Sequence, residues 1–121
     1  MKTSIATVSI SGNFPEKLEA IAAAGFDGIE IFEQDFIAHD GDPKEVGDMI
    51  RAMGLEINLF QPFRDFEGLP EPHRAKVFDR VERKFDLMQD LGTDLVLICS
   101  SCHPEALGGI DRSAADFNEL G

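Results

Sequence analysis

The sequence predicts an α/β fold made of the (β/α) repeats of a TIM barrel, with about four βα units. A pattern of apolar helix, glycine, one residue, acidic residue and apolar strand occurs three times, as AIAAAGFDGIEIFE, MIRAMGLEINLFQ and LMQDLGTDLVLIC. Its strands are near-continuous hydrophobic runs, typical of a parallel sheet that helices cover on both faces. No G-x-G-x-x-G turn follows the first strand, which disfavours a dinucleotide-binding sheet and favours a barrel.

Four strands are expected to alternate with four helices, and right-handed crossovers would place successive strands side by side. Gly25, Gly54 and Gly92 each end a helical pattern, as a glycine just beyond a helix commonly does. Each is followed by a run rich in Ile, Leu and Val, which indicates a buried strand. The predicted strands are Ser4–Ile10, Gly28–Phe32, Leu55–Phe60 and Leu95–Cys99.

The helices are predicted from capping residues and apolar stripes. Pro15 suits a first helical turn, and Asp42 is an N-cap candidate with a capping-box acid three residues later. A last helix is expected to begin near Asp111 and to include Leu120. His73, before the long third helix, is expected to be exposed to solvent. The apolar stripe of that third helix is Phe78, Val81, Phe85, Met88 and Leu91.

The length predicts about half of a barrel, because a complete one takes about 250 residues and this chain has 121. The sequence ends at DFNELG, in or just after the fourth predicted helix. We therefore expect one domain over residues 1–121. It would be a fragment, a half-barrel, or a chain whose partner supplies the remaining strands.

Composition excludes several classes of function. Asp and Glu number 23 against 11 Lys and Arg, for a net charge of −12. A field of that sign repels phosphate backbones, so nucleic acid is not an expected partner. No apolar run is long enough to cross a membrane, and the N-terminus does not resemble a secretory signal. We therefore expect a cytoplasmic protein with reduced thiols.

Active residues of a βα barrel lie at the carboxyl ends of strands and in the loops that follow them. The segments that this rule selects are Ser9–Asn13, Phe32–Asp42, Phe60–Gly68 and Cys99–Gly109. In the second, Glu33 is near enough to the strand to point inward. Asp35, His39 and Asp40 are candidates for a metal site or for acid and base groups, and the alternative is a solvated loop.

The third segment, FQPFRDFEG, places Gln61 and Arg64 directly after a buried strand. The planar, five-donor guanidinium of Arg64 suits a carboxylate or a phosphate. Aromatic surroundings would lower the local dielectric and strengthen that pairing. The alternative is a structural ion pair with Asp65 or Glu67. The surrounding aromatic residues are Phe60, Phe63 and Phe66.

The fourth segment contains CSSCH, residues 99–103, which matches the C-x-x-C-H pattern of c-type haem attachment. Haem is disfavoured because the first thiol belongs to a strand, and a redox pair because no helix begins directly after it. A zinc site needs more ligands than His103 supplies. Two interpretations remain: a buried Cys99 with Ser100, Ser101 or His103 beside a substrate pocket, or a loop that contacts no ligand.

Three segments resemble the N-terminal half of bacterial 3-dehydroshikimate dehydratases, which belong to the sugar phosphate isomerase/epimerase superfamily of xylose-isomerase-like TIM barrels. They are SIATVSISGNFPEKLEAIAAAGFDGIEIFEQD, NLFQPFRDFEG and ERKFDLMQDLGTDLVLICSS. The resemblance implies a lyase that removes water from 3-dehydroshikimate to give protocatechuate, in quinate and shikimate catabolism. It also implies that some relatives are fused to a domain resembling 4-hydroxyphenylpyruvate dioxygenase.

The resemblance supports a role for Arg64 in binding the substrate carboxylate. The family uses one divalent metal, of the Mg²⁺, Mn²⁺ or Co²⁺ kind, to stabilise the enolate formed by proton abstraction next to a carbonyl. Its metal ligands and catalytic histidine lie on later strands, so we expect no catalytic residue, metal ligand or cofactor in this chain alone. The predicted substrate-binding residues are Arg64, Gln61, Glu33, Ser100 and His103.

The expected partners are a small-molecule substrate and either a C-terminal half-barrel or a second copy of the chain. An isolated half-barrel exposes sheet edges and an apolar face, which association would cover. Two alternatives remain open, since a fold does not fix a function. One is a sugar or sugar-phosphate isomerase or epimerase of the same superfamily, and the other is an inactive half-barrel that self-associates.

Overall fold

The computed structural model describes all 121 residues and divides into two compact units. The first unit comprises Met1–Gln61 and Asp86–Leu97, and the second comprises Pro62–Phe85 and Ile98–Gly121. The elements in chain order are β1 Ser4–Ala6, a 3₁₀ turn Thr7–Ser9, α1 Phe14–Ala23, β2 Gly28–Phe32, α2 Glu33–His39, α3 Pro43–Ala52, β3 Glu56–Phe63, α4 His73–Leu91, β4 Val96–Ile98 and α5 Ile110–Leu120.

The four strands form one sheet in the order β1-β2-β3-β4, as the predicted crossovers require. The β1–β2 and β2–β3 pairs are parallel. Strand β3 bonds to β4 through Phe60 N, which donates to Leu95 O at 2.9 Å, and Cys99 N, which donates to Phe63 O at 2.8 Å. The carboxyl ends of β3 and β4 therefore lie at one edge of the sheet, where the loops of a βα barrel carry its site.

The first unit has an apolar core between its helices and strands. Helix α1 begins at a capping box, in which Glu16 N donates to the side chain of Asn13 and Asn13 N donates to that of Glu16. Asp42 caps α3 as predicted, accepting from Lys44 N and Glu45 N. The buried apolar residues of this unit include Leu18, Ile21, Ile29, Ile31, Val46, Ile50, Leu55 and Phe60.

The second unit is organised around phenylalanine rings. The ring of Phe66 is 1% exposed and contacts three others, with centroid distances of 6.2 Å to Phe63, 5.3 Å to Phe78 and 5.3 Å to Phe117. These rings come from the end of β3, the loop after it, α4 and α5. Aromatic packing of this kind contributes beyond the buried area alone, so it fixes the loop after β3 on the two helices.

Helix α2 was not predicted, because the sequence indicated a loop over Phe32–Asp42. Glu33 and Asp35 in its first turn are stabilised by the amino end of the helix dipole. Phe36, 9% exposed, packs edge-on against Phe60 at 6.4 Å. The helix ends at Asp40, whose φ of 54° is left-handed. The burial of the Phe36 ring and the favourable charges in the first turn therefore both stabilise this seven-residue helix.

The predicted strands differ from the observed ones mainly at their ends. Strand β1 stops at Ala6 and passes into a 3₁₀ turn, where the Thr7 hydroxyl accepts the backbone N–H of Phe32 at 3.0 Å. The last strand was expected to be buried on both faces. This expectation is wrong, since Leu95 and Leu97 of the predicted strand Leu95–Cys99 are 57% and 42% exposed. None of the helices combines the length and the apolar character that a membrane span requires.

Candidate functional site

The loops after β3 and β4 are joined by carboxylates that bind backbone N–H groups. Cys102 N donates to Asp65 Oδ1 at 2.7 Å, and Ser101 N donates to Glu67 Oε1 at 2.9 Å. Hydrogen bonds to an ionised carboxylate are stronger than those between neutral groups. Two such bonds hold the CSSCH loop against the FQPFRDFEG loop, so the structure brings together the third and fourth predicted site segments.

A third carboxylate fixes the base of the loop after β3. Asp116 of α5 is 4% exposed and accepts from Gly68 N at 2.8 Å and from Arg74 Nε at 3.0 Å. Arg74 also bonds to Glu119, and its hydrogen bonds to Glu119 and then to Asp116 raise the pKa of the guanidinium. Leu107 N donates to Gly68 O at 2.7 Å. Both the backbone N–H and the backbone C=O of Gly68 are therefore hydrogen-bonded.

Arg64 lies in this fixed loop with an exposed side chain. The alternative of an ion pair with Asp65 or Glu67 is wrong, because those carboxylates bind the backbone of the loop after β4 instead. The Arg80 guanidinium donates to Arg64 O and lies 4.5 Å above the ring of Phe63. The backbone of Arg64 is held while its guanidinium has no protein partner, which leaves all five N–H donors for a ligand.

The phenyl rings expected around Arg64 are core residues rather than pocket walls. Phe60, Phe63 and Phe66 are 0%, 2% and 1% exposed. Each of them packs against another ring. The expectation of an aromatic, low-dielectric pocket at Arg64 is therefore wrong, since burial in the core removes these rings from the solvent side.

Gln61 and Glu33 both belong to the first unit. The side-chain amide of Gln61 on β3 donates to Glu30 Oε2 on β2 at 2.8 Å. Glu33 is half-buried and begins α2 directly after β2. Sequence reasoning missed Glu30, although an acidic residue between two isoleucines of a buried strand is itself a signal.

Asp35 and His39, two further polar residues of the second segment, contact side chains of α1. Asp35 accepts both of its bonds from Lys17 Nζ, at 2.9 and 3.0 Å, which ties α1 to α2. The ring of His39 lies edge-on to Phe14 at 5.8 Å. No group of metal-ligand atoms is formed in this segment, and Asp35 is in an ion pair rather than a solvated loop.

The cysteines of CSSCH are free thiols, and no disulfide joins them. Cys99 is partly exposed rather than buried, and Ser100 is exposed. Ser101 has a buried hydroxyl without a hydrogen-bond partner, as does Glu67 at Oε2. Both residues line a cleft of ≈ 240 Å³ that also contacts Gly68 and His103. This cleft puts polar atoms of both loops beside one space.

His103 is in a grouping that the sequence did not suggest. His73 Nε2 lies 2.5 Å from Glu105 Oε2, and the rings of His73 and His103 are 5.0 Å apart at 49°. His73 is 35% exposed, so it meets solvent as expected while one side of its ring contacts His103. One atom from each of the three side chains lies within 4.8 Å of the others. His103 and Glu105 are two residues apart, but His73 is on another element, so no sequence spacing links it to them.

The comparison with protein families defines the class. A family model described as xylose isomerase-like TIM barrel matches residues 18–121. The chain belongs to this family, and the fold predicted from the repeat is confirmed. A solved xylose isomerase-like TIM barrel/4-hydroxyphenylpyruvate dioxygenase fusion protein matches with a TM-score of 0.95 and 57% identity, covering 99% of this chain and 19% of that one.

Two curated relatives are both described as 3-dehydroshikimate dehydratase. The chain is 58% identical over 120 residues to the 3-dehydroshikimate dehydratase of Pseudomonas aeruginosa, and 58% identical over 121 residues to that of Pseudomonas putida. These alignments cover 99% and 100% of this chain, which spans 19% of the length of each relative. The resemblance inferred from the sequence motifs is confirmed.

Proposed function

We propose that the protein is a 3-dehydroshikimate dehydratase, a lyase that releases water and protocatechuate, and that this chain supplies part of its substrate-binding surface. The observation that carries the proposal is the free guanidinium of Arg64, fixed by its backbone at the carboxyl end of β3. It lies in a chain that is 58% identical to dehydratases over its whole length.

The substrate is a carboxylate with a ring carbonyl and ring hydroxyls. Arg64 would bind the carboxylate through two parallel N–H···O bonds, which fix orientation as well as position. Ser100 and His103, on the loop bonded to that of Arg64, would contact hydroxyl or carbonyl oxygens. Gln61 and Glu33 are the further candidates. Holding the ring in one orientation places the C–H next to the carbonyl for proton abstraction.

Dependence of the enzyme on Mg²⁺, Mn²⁺ or Co²⁺ is part of the proposal, and for Mg²⁺ and Mn²⁺ this chain does not supply a fitting site. Mg²⁺ and Mn²⁺ prefer oxygen ligands. The group of ligand atoms that the structure brings together has two imidazoles, from His73 and His103, and only one carboxylate, from Glu105. The role proposed for this chain is therefore to bind and orient substrate, and residues 1–121 alone would be inactive.

Strand β4 supports the proposal of a covering partner. It is last in the sheet order; Leu95, just before it, and Leu97, within it, are 57% and 42% exposed. Further βα units, or a second copy, would bury these side chains and pair the edge. Sedimentation of residues 1–121 tests this: we expect association, and a monodisperse monomer at high concentration would argue against it.

The experiment for the activity uses the protein encoded by the whole open reading frame. Protocatechuate formation from 3-dehydroshikimate is measured with Mg²⁺ or Mn²⁺ added. Arg64→Ala should lower kcat/KM about 100-fold, because two charge-assisted bonds contribute about 3 kcal/mol together. Arg64→Lys should recover only part of this, since a lysine cannot bind bidentately.

Arg83→Ala is the matched control, because Arg83 is an exposed arginine of α4. It should leave kcat/KM unchanged. Absence of protocatechuate with the unsubstituted protein would contradict the proposal. Turnover of a ketose sugar under the same conditions would favour the isomerase or epimerase alternative instead.

A further inference from the structure

We propose that His73, His103 and Glu105 form a binding site for one transition-metal dication, with Zn²⁺ as the best-suited occupant. The three side chains come from the start of α4 and from the loop after β4, all within the second unit. The proposal stands without the proposed dehydratase function. A metal on one ring nitrogen of His103 leaves the other for the substrate contact proposed above.

The positions of the ligand atoms fit one ion after small side-chain rotations. Two ligands at about 2.0–2.1 Å from a tetrahedral zinc are about 3.4 Å apart. His73 Nε2 and Glu105 Oε2 are now 2.5 Å apart, and no two atoms of the three-residue set are more than 4.8 Å apart. The His73–Glu105 pair must therefore open slightly, and the side chain of His103 must approach it.

The backbone around the ligands is already anchored. Arg74, the residue after His73, is bonded to the buried carboxylate of Asp116. Cys102, the residue before His103, donates its N–H to Asp65 at 2.7 Å. A site whose ligands are held by their neighbours loses little entropy when the metal binds.

The chemistry of the set selects a transition metal. Two imidazole nitrogens and one carboxylate oxygen are the ligands of known zinc centres that keep a fourth position open for water. Imidazole also suits Co²⁺, Ni²⁺ and Cu²⁺, whereas Mg²⁺ and Ca²⁺ prefer oxygen throughout. The thiols of Cys99 and Cys102 are not part of the grouping.

The hydrogen bonds present show where the metal enters. His73 Nε2 faces Glu105 Oε2, so a metal would replace the proton between them. His103 Nδ1 accepts the backbone N–H of Glu105 at 3.1 Å, which leaves the ring proton on Nε2. A metal at Nδ1 would take the place of that single neutral bond. Binding therefore uses the neutral form of both imidazoles.

The surroundings admit a cation. The neighbouring cleft of ≈ 200 Å³ is lined by Lys76 and Arg80 as well as by Asp65 and the two histidines. The charge of Arg80 is directed elsewhere, to Arg64 O and the face of Phe63. The chain as a whole carries a net charge of −12, and this field raises the local concentration of cations.

Calorimetric titration of the chelator-treated protein with Zn²⁺ tests the site. The unsubstituted protein should bind one equivalent more than the double variant His73→Gln/His103→Gln. Glu105→Gln, at a side chain that is 59% exposed and safe for folding, should weaken that equivalent at least about tenfold. His39→Gln is the matched control, since His39 is the third histidine of the chain and packs on Phe14.

Co²⁺ supplies a readout that does not depend on activity. A visible d–d absorption band should appear with the unsubstituted protein and with His39→Gln, and should be absent from the double variant. Circular dichroism checks that each variant is folded. Equal zinc stoichiometry and affinity in the unsubstituted protein and the double variant, or no difference in the cobalt band, would overturn the proposal.

Discussion

The buried carboxylate of Asp116 accepts the backbone N–H of Gly68 at 2.8 Å and so ties helix α5 to the loop that carries Arg64. Its other oxygen accepts from Arg74 Nε at 3.0 Å. Both oxygens are therefore used to position backbone and side chain next to a candidate binding residue. A carboxylate that satisfies a buried loop N–H has a structural cost when it is removed.

Asp116→Ala should lower the free energy of unfolding by about 1–3 kcal/mol, because the Gly68 N–H loses its partner. Urea-induced unfolding measures this. Glu119→Gln is the control, since Glu119 is the exposed partner of the same arginine at 56% exposure, and it should cost less than about 1 kcal/mol. Similar losses in the two variants would contradict the role given to the Gly68 bond.

Gly68 should tolerate a methyl group less well than Gly25 and Gly54, two glycines with the same left-handed φ. Its φ is 81°, and an added Cβ would lie 2.8 Å from Leu107 O. Gly25 has a φ of 82° with no heavy atom within 4 Å of the same position. Gly25→Ala should therefore cost only the left-handed strain, roughly 1–2 kcal/mol.

Gly68→Ala should cost at least about 1 kcal/mol more than Gly25→Ala, since the contact with Leu107 adds to the same strain. Thermal or urea unfolding of the two variants gives the difference. Gly54→Ala, with a φ of 81° and an open Cβ position, should behave like Gly25→Ala. A Gly68 variant that matches both would show that the loop shifts without cost.

Features encoded by neighbouring residues could be predicted from the sequence. Strand β2 has the predicted bounds Gly28–Phe32, because its β-branched and aromatic residues follow directly on the turn that ends α1. The cap of α3 at Asp42 is a contact over three residues. The sheet order β1-β2-β3-β4 followed from crossover handedness alone. Local signals and chain topology therefore determined most of the fold.

The parts that could not be predicted depend on contacts between distant residues. Helix α2 is held by contacts of Phe36 with Phe60 and of Asp35 with Lys17, and neither partner lies within its seven residues. The guanidinium of Arg64 is unpaired because the neighbouring carboxylate of Asp65 accepts a hydrogen bond from Cys102 N on another loop. The meeting of His73 with Glu105 has the same origin. Site residues in βα folds come from separate loops, so their partners are not visible in any one segment.

Acid should remove the contribution of an ion pair near the N-terminus. Lys2 Nζ lies 2.5 Å from Glu56 Oε1, and this hydrogen bond lowers the pKa of Glu56 below 4.5 and raises the pKa of Lys2 above 10.5. The stabilisation by Glu56 is present above pH 4.5 and is lost as the pH falls through its lowered pKa. The stabilisation by Lys2 is lost only as the pH rises through the raised pKa of Lys2.

Glu56→Gln should therefore reduce stability near neutral pH and have no effect at a pH below the pKa of Glu56 in the folded protein. The difference in denaturation midpoint between the two proteins, measured across the acid range, gives the result. Both side chains are well exposed, so the effect should be small and should shrink with added salt. A difference that stays constant into strong acid would contradict this assignment.

The pair of Lys17 and Asp35 should behave differently, because it is largely buried. Their side chains are 8% and 15% exposed, and Lys17 Nζ donates to both carboxylate oxygens of Asp35. Asp35→Ala leaves the ammonium group buried without a partner, which should cost about 2–4 kcal/mol.

The double variant Lys17→Met/Asp35→Leu should recover most of this loss, to within about 1 kcal/mol of the unsubstituted protein, because no charge is then left buried. Urea unfolding of Lys17→Met, Asp35→Leu and the double variant completes the cycle. A double variant as unstable as Asp35→Ala would mean that the stability lost comes from packing of the two side chains. Recovery would show that the pair holds α1 against α2 mainly by neutralising a charge that the fold has already buried.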